Sequence, residues 1–145
     1  MRALIQRVSH AKVEVDQQIV GQINHGLLVF IGVEKGDRTD DADRLLHKIL
    51  AYRVFSDDNQ KMNLSVADVN GGLLLVSQFT LAANTQKGLR PSFSSAAPPS
   101  DGEALYHYIV EQARQKHHTV ATGRFGADMK VQLLNDGPVT FLLET

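Results

Sequence analysis

The sequence predicts an α/β fold in one compact domain over residues 1–145: barrel-like β-sheets of about seven strands, with two main helices packed on one side. Three observations predict it. Short apolar runs fill the first third of the chain and its tail. Two segments carry apolar residues at helical spacing. With 145 residues, 43% hydrophobic and 21% charged, the chain buries enough surface for one core without metal or disulfide staples.

The elements follow in order. Residues 3–8 and 12–15 alternate or run apolar, and Asp16-Gln17-Gln18 offers a turn before residues 19–23. Residues 26–33 (GLLVFIGV) are apolar throughout, the pattern of a strand buried on both faces. Residues 34–41 read as a charged loop with Gly36. Thr39 or Asp40 then caps a helix in which Ala42, Leu45, Leu46, Ile49 and Leu50 share a face. Residues 52–55 start a short extended piece. Gly71 and Gly72 introduce residues 73–76, a second buried strand running on into residues 77–83. Residues 84–101, with Gly88, Pro91, Pro98 and Pro99, form a loop. Ser100 and Glu103 have the spacing of a capping box for a second helix, with Leu105, Tyr108, Ile109 and Ala113 along one face. Residues 129–134 and 139–143 are strand candidates joined by Asn135-Asp136-Gly137-Pro138.

Composition narrows the function. Lys and Arg total 15 against 16 Asp and Glu, a net charge of −1. Sequence-blind coating of nucleic acid runs on excess cations, so it is excluded, and DNA is not an expected partner; a local RNA contact stays open. Cysteine is absent, which removes disulfides, thiol nucleophiles and Cys-based zinc sites and fits a reducing compartment. The apolar runs reach about eight residues, against roughly 20 for a bilayer span, and the opening MRALIQRVSH turns polar at once. A cytoplasmic protein with no membrane partner is expected. None of the histidines (10, 25, 47, 107, 117, 118) sits in an HExxH pair, and no metal is expected. The G-x-S-x-G elbow, the P-loop and the G-x-G-x-x-G loop are all missing, and no cofactor is expected.

Three polar stretches remain. Ser77, Gln78 and Thr80 end an apolar strand, which places them at a site or at the sheet edge; by alternation Ser77 and Phe79 share one face, Gln78 and Thr80 the other. Asn135-Asp136-Gly137-Pro138 reads as a tight turn, or as a place where a backbone without Cβ approaches a ligand. Lys87-Gly88-Leu89-Arg90-Pro91-Ser92-Phe93 reads as a solvated loop, or as one that holds a phosphate and stacks a base.

Taken together these stretches carry a resemblance. Ser77-Gln78-Phe79-Thr80-Leu81-Ala82-Ala83 resembles the SQFTLxA signature of the D-aminoacyl-tRNA deacylases, and Asn135-Asp136-Gly137-Pro138-Val139-Thr140 resembles that family's NxGPVT signature, in the family's order. MRALIQRV, GLLVFIGVEKGD, KMNLSV at residues 61–66 and RPSF at 90–93 are similar too, so the likeness spans the chain. One departure is Gln60, where the family often has Gly.

The resemblance implies an enzyme that hydrolyses the ester between a D-amino acid and the 3′-terminal adenosine of tRNA. It implies a homodimer with active sites at the interface, each completed by a cis Gly-Pro unit from the partner subunit. Carried over, Gly137 and Pro138 are the chirality filter, oriented by Arg7. Ser77, Gln78, Phe79 and Thr80 line the pocket around the scissile ester. Arg90, Pro91, Ser92 and Phe93 hold the terminal adenosine. Glycyl-tRNA is an expected second substrate, since glycine has no side chain to clash. Two mechanisms compete. Thr80 acts as nucleophile, or backbone N–H groups such as that of Phe79 hold the oxyanion while the RNA 2′-hydroxyl helps activate water; the second is favoured, because the motif offers Thr80 no base. A non-catalytic RNA-end module and a structural dimer without a site are the rival readings.

Overall fold

One long bent strand organises the molecule, for which a computed structural model describes residues 1–145. This strand, β1 (Arg2–Val15), runs unbroken where the sequence suggests two. Its inward positions are Ala3 and Ile5, then Val8, then Ala11, Val13 and Val15, so the alternation slips a step around Val8. A bulge there lets its two halves face two different cores. Asp16 and Gln17 form the turn, both at positive φ (50° and 65°), as a two-residue hairpin requires. β2 (Gln18–Ile23) pairs with the far half of β1, and β3 (Gly26–Gly32) with its near half, both antiparallel.

β3 is followed by α1 (Thr39–Ala51), then the small β4 (Phe55–Ser56) and β5 (Met62–Leu64) ribbon, then β6 (Gly72–Ser77). β6 lies parallel to β3. A single turn of 3-10 helix at Phe79–Ala82 and a loop lead to α2 (Pro99–Lys116) and to β7 (Val120–Thr122), parallel to β6. β8 (Lys130–Glu144) returns along the free edge of β1. β2 and β7 approach until the sheet nearly closes: a Cβ on Gly21 would lie 2.2 Å from the Thr122 carbonyl oxygen. The result is the expected α/β domain, a barrel-like sheet with two helices.

The larger core lies between helices and sheet. α1 contributes Ala42, Leu45, Leu46 and Ile49, all fully buried, and α2 contributes Tyr106, Ile109, Val110 and Ala113. The smaller core fills the barrel with Val8, Val13, Leu28, Leu74 and Val76. No helix is long and apolar enough to cross a membrane.

Local details differ from expectation. α1 is capped from inside: the Asp41 carboxylate accepts the Arg38 backbone N–H at 2.9 Å, and Thr39 is already helical. α2 starts two residues earlier than a capping box at Ser100 needs, with Pro99 supplying the preset φ. The short β5 and β7 carry too few residues to show a period. Tyr106, rather than Tyr108, is the buried aromatic of α2. Its hydroxyl donates to the Leu75 carbonyl at 2.8 Å, and burial pushes its pKa up to about 12. Leu75 O also accepts the Gly123 N–H at 3.0 Å. Tyr106→Phe therefore leaves no orphan acceptor and is expected to cost about 1 kcal/mol, read as a denaturation midpoint shift.

Candidate active site

The site begins where the parallel strands end. β6 is buried up to Val76, its ladder with β3 ends where Gln78 donates its N–H to Ile31 O at 2.8 Å, and the 3-10 turn follows at once. The strand does not run on to residue 83, so the alternation of Ser77 to Thr80 fails after Ser77. The turn's first backbone bond is from Leu81 N–H to Gln78 O, 3.1 Å. The N–H groups of Phe79 and Thr80 therefore have no acceptor in the chain. The Gln78 side-chain amide donates to the Thr80 hydroxyl oxygen, which fixes that hydroxyl without giving it a base.

Ser77, Gln78 and Phe79 form one wall of a cavity of about 450 Å³. Phe30, Ile31 and Val33 come from the end of β3, Pro99 and Gly102 from the first turns of α2, and Phe125, Met129 and Val131 from the last loop and β8. None of the lining residues is titratable. A cavity at the carboxyl ends of parallel strands is the usual binding place in α/β sheets. Gly102 adds no side chain to its wall, and a Cβ there would meet only the Phe125 ring, at an ordinary contact distance of 3.9 Å. The sequence reading missed Gly102, Phe125, Met129 and Val131. They come from separate segments, and no spacing rule joins them.

Arg90, Pro91, Ser92 and Phe93 do not line this cavity. Their loop is closed by reciprocal backbone bonds between Asn84 and Ser92, at 2.8 and 3.0 Å. It brings the Phe93 ring to 5.2 Å from that of Phe79 at the cavity's edge.

The second group lies apart. Between Gln6 opposite Thr140 and Val8 opposite Asn135, β1 has one residue, Arg7, where β8 has four. The strand candidates 129–134 and 139–143 are thus one strand with an exposed bulge rather than a hairpin. The motif closes around Arg7. The Arg7 Nε–H donates to Asp136 O at 3.0 Å and its Nη1–H to Val54 O at 2.6 Å, and the Asp136 carboxylate sits 3.5 Å away. The Asn135 amide bridges Arg7 O and Val139 O, at 2.9 and 3.0 Å. The Gly137–Pro138 bond is cis, and Gly137 has φ of 136°, which L side chains rarely adopt. Neither Gly137, Pro138 nor Arg7 lines the cavity of its own chain. The sequence-predicted residues thus fall into two clusters, Ser77–Thr80 with Phe93, and Arg7 with Gly137 and Pro138.

Fold and site define an α/β barrel-like protein with a largely apolar cavity that has no ionisable side chain in its lining and lies beside two unpaired main-chain N–H groups. The family model described as D-Tyr-tRNA(Tyr) deacylase matches residues 4–144, and the chain belongs to that family. It is 66% identical to the D-aminoacyl-tRNA deacylase of Stutzerimonas stutzeri (strain A1501) and 65% identical to that of Pseudomonas aeruginosa (strain LESB58), over 145 residues and the full length of both chains in each case. A solved structure described as c-Myc DNA Unwinding Element Binding Protein has a TM-score of 0.96 at 38% identity, covering 100% of this chain and 99% of that one.

Proposed function

We propose that the protein is a cytoplasmic chiral proofreader. It hydrolyses the ester between a D-amino acid and the 3′-terminal adenosine of tRNA, with no cofactor or metal. The observation that carries this reading is the pair of unpaired N–H groups, that of Phe79 in the wall of a cavity with no titratable lining and that of Thr80 next to it in the chain. Such donors stabilise a developing oxyanion and leave acid–base work to the substrate. The terminal base enters the apolar cavity, the scissile carbonyl lies against the turn, and the RNA 2′-hydroxyl helps activate water. An aminoacyl ester is reactive enough for positioning and an oxyanion site to suffice.

Handedness is read by the bulge. Gly137 and Pro138 are exposed and do not line the 450 Å³ cavity of their own chain, which supports a homodimer in which each bulge reaches the partner's pocket. Arg7 clamps the bulge by its Asp136 carbonyl. Main-chain carbonyls there accept the substrate's α-ammonium, a D side chain points to open space, and an L side chain collides. Glycine has nothing to collide, so glycyl-tRNA is a substrate too.

Two measurements test the chemistry. Thr80→Ala is expected to keep kcat/KM on D-tyrosyl-tRNA within about tenfold of the parent; removal of a true nucleophile costs on the order of a million-fold, and a loss of that depth overturns the positioning mechanism. The pH profile of kcat/KM is expected to climb without a break between about pH 5 and 7, because no side chain in the cavity titrates, and to flatten near roughly pH 8 as the substrate's α-ammonium loses its proton. A plateau reached already between about pH 5 and 7 would require a titrating base that the cavity lining lacks.

A further inference from the structure

The cavity takes one base, yet the surface beside it is shaped for more. Phe79 and Phe93 remain 61% and 43% exposed with their rings 5.2 Å apart, although each is rigidly held. The 3-10 turn fixes Phe79. The Asn84–Ser92 closure and the Ala96 N–H bond to Phe93 O, 3.1 Å, fix Phe93. The charge pattern of the segment that carries them is one-sided. Between Asp68 and Asp101 the chain carries no carboxylate and only two cations, Lys87 and Arg90, in a protein of net charge −1. Both cations are exposed on the loop that presents Phe93, and neither is in an ion pair.

We propose that this aromatic pair, with Lys87 and Arg90, is a stacking platform for the nucleotide immediately 5′ of the esterified adenosine; the proposal rests on the deacylase reading above. Phe79 belongs both to the cavity wall and to the platform. A strand whose last base fills the cavity therefore meets the pair with its next base. Stacking on aromatic faces beside cations that track phosphates is how single-stranded RNA is held without base-edge readout. That suits a site serving many tRNAs, since all end in the same CCA. An acidic protein partner would also suit the cations, but it gives the rings no continuity with the cavity.

The test compares two esters of D-tyrosine, one on adenosine alone and one on the trinucleotide CCA. The parent protein is expected to favour the CCA ester by about tenfold in kcat/KM, the stacking of one base. Phe93→Ala is expected to lose about tenfold more on the CCA ester than on the adenosine ester, and Phe93→Tyr, which keeps the ring, to restore the difference. Arg90→Gln is expected to lower the CCA rate more than the adenosine rate and to flatten its salt dependence. Equal kcat/KM for the two esters in the parent, or equal losses on both in Phe93→Ala, overturns the platform while leaving the deacylase reading intact. Hydrolysis of neither ester above the spontaneous rate overturns that reading, and the platform with it.

Discussion

Gly137→Ala is expected to lower kcat/KM on D-tyrosyl-tRNA by on the order of a hundredfold or more, with the fold preserved. The added Cβ would lie 2.7 Å from Val139 Cγ2, 2.9 Å from the Val139 backbone nitrogen and 3.2 Å from Arg7 Nη2. The first two contacts are inside the bulge itself, and φ of 136° is already outside the range of an L residue. The bulge must therefore rearrange, and the Arg7 clamp with it. It is exposed and lies on an edge strand, and Val139 alone of its residues packs against the larger core, so the cost in stability is expected to be small beside the loss of activity. Circular dichroism and the denaturation midpoint should stay near those of the parent, and the loss should appear in the hydrolysis time course. A nearly silent substitution would leave the bulge a structural ornament and remove the proposed chirality filter.

Gly102→Leu is expected to separate activity from stability. A Leu side chain at this position projects past Phe125 into the cavity, where the Cβ itself has room. Filling the space of the terminal base should reduce kcat/KM on the order of a hundredfold. Replacing a helical glycine gains about 1 kcal/mol in helix propensity, so the denaturation midpoint should rise or hold. A fully active Gly102→Leu protein would place the base elsewhere.

Mixing the two variants then tests the shared site. Each alone lacks one half of every site. A hybrid dimer pairs the intact cavity of Gly137→Ala with the intact bulge of Gly102→Leu, so one site in it is whole. With random exchange of subunits about a quarter of the parent activity should return, as two-fold symmetry dictates. No recovery after verified exchange would mean that cavity and bulge serve the same chain.

The sequence made much of this legible for reasons of period and exclusion. Residues 26–33 and 73–76 are apolar on both faces because helices cover one side of their strands and the barrel core the other, and that pattern survives any choice of topology. The face of α1 was readable because Ala42, Leu45, Leu46 and Ile49 keep helical spacing. The absence of cysteine and of nucleotide-binding loops fixed what the chemistry is not. The two signatures pointed to the residues of both clusters.

What the tertiary structure decided lies where distant segments meet. Periodicity shows two strands on either side of Asn135–Pro138, but only pairing with β1 shows that they are one strand, bulged by four residues against Arg7. Alternation gives faces to Ser77–Thr80, yet the ladder with β3 ends at the bond from Gln78 N–H to Ile31 O and the chain passes into a 3-10 turn, which leaves the two N–H groups free. The cavity joins Phe30, Gly102, Phe125 and Met129, which local rules treat one segment at a time. Local propensity acts over a few residues, whereas a pocket and its donors are set by the packing of elements remote in sequence, and so they exist only once the barrel and its helices have closed.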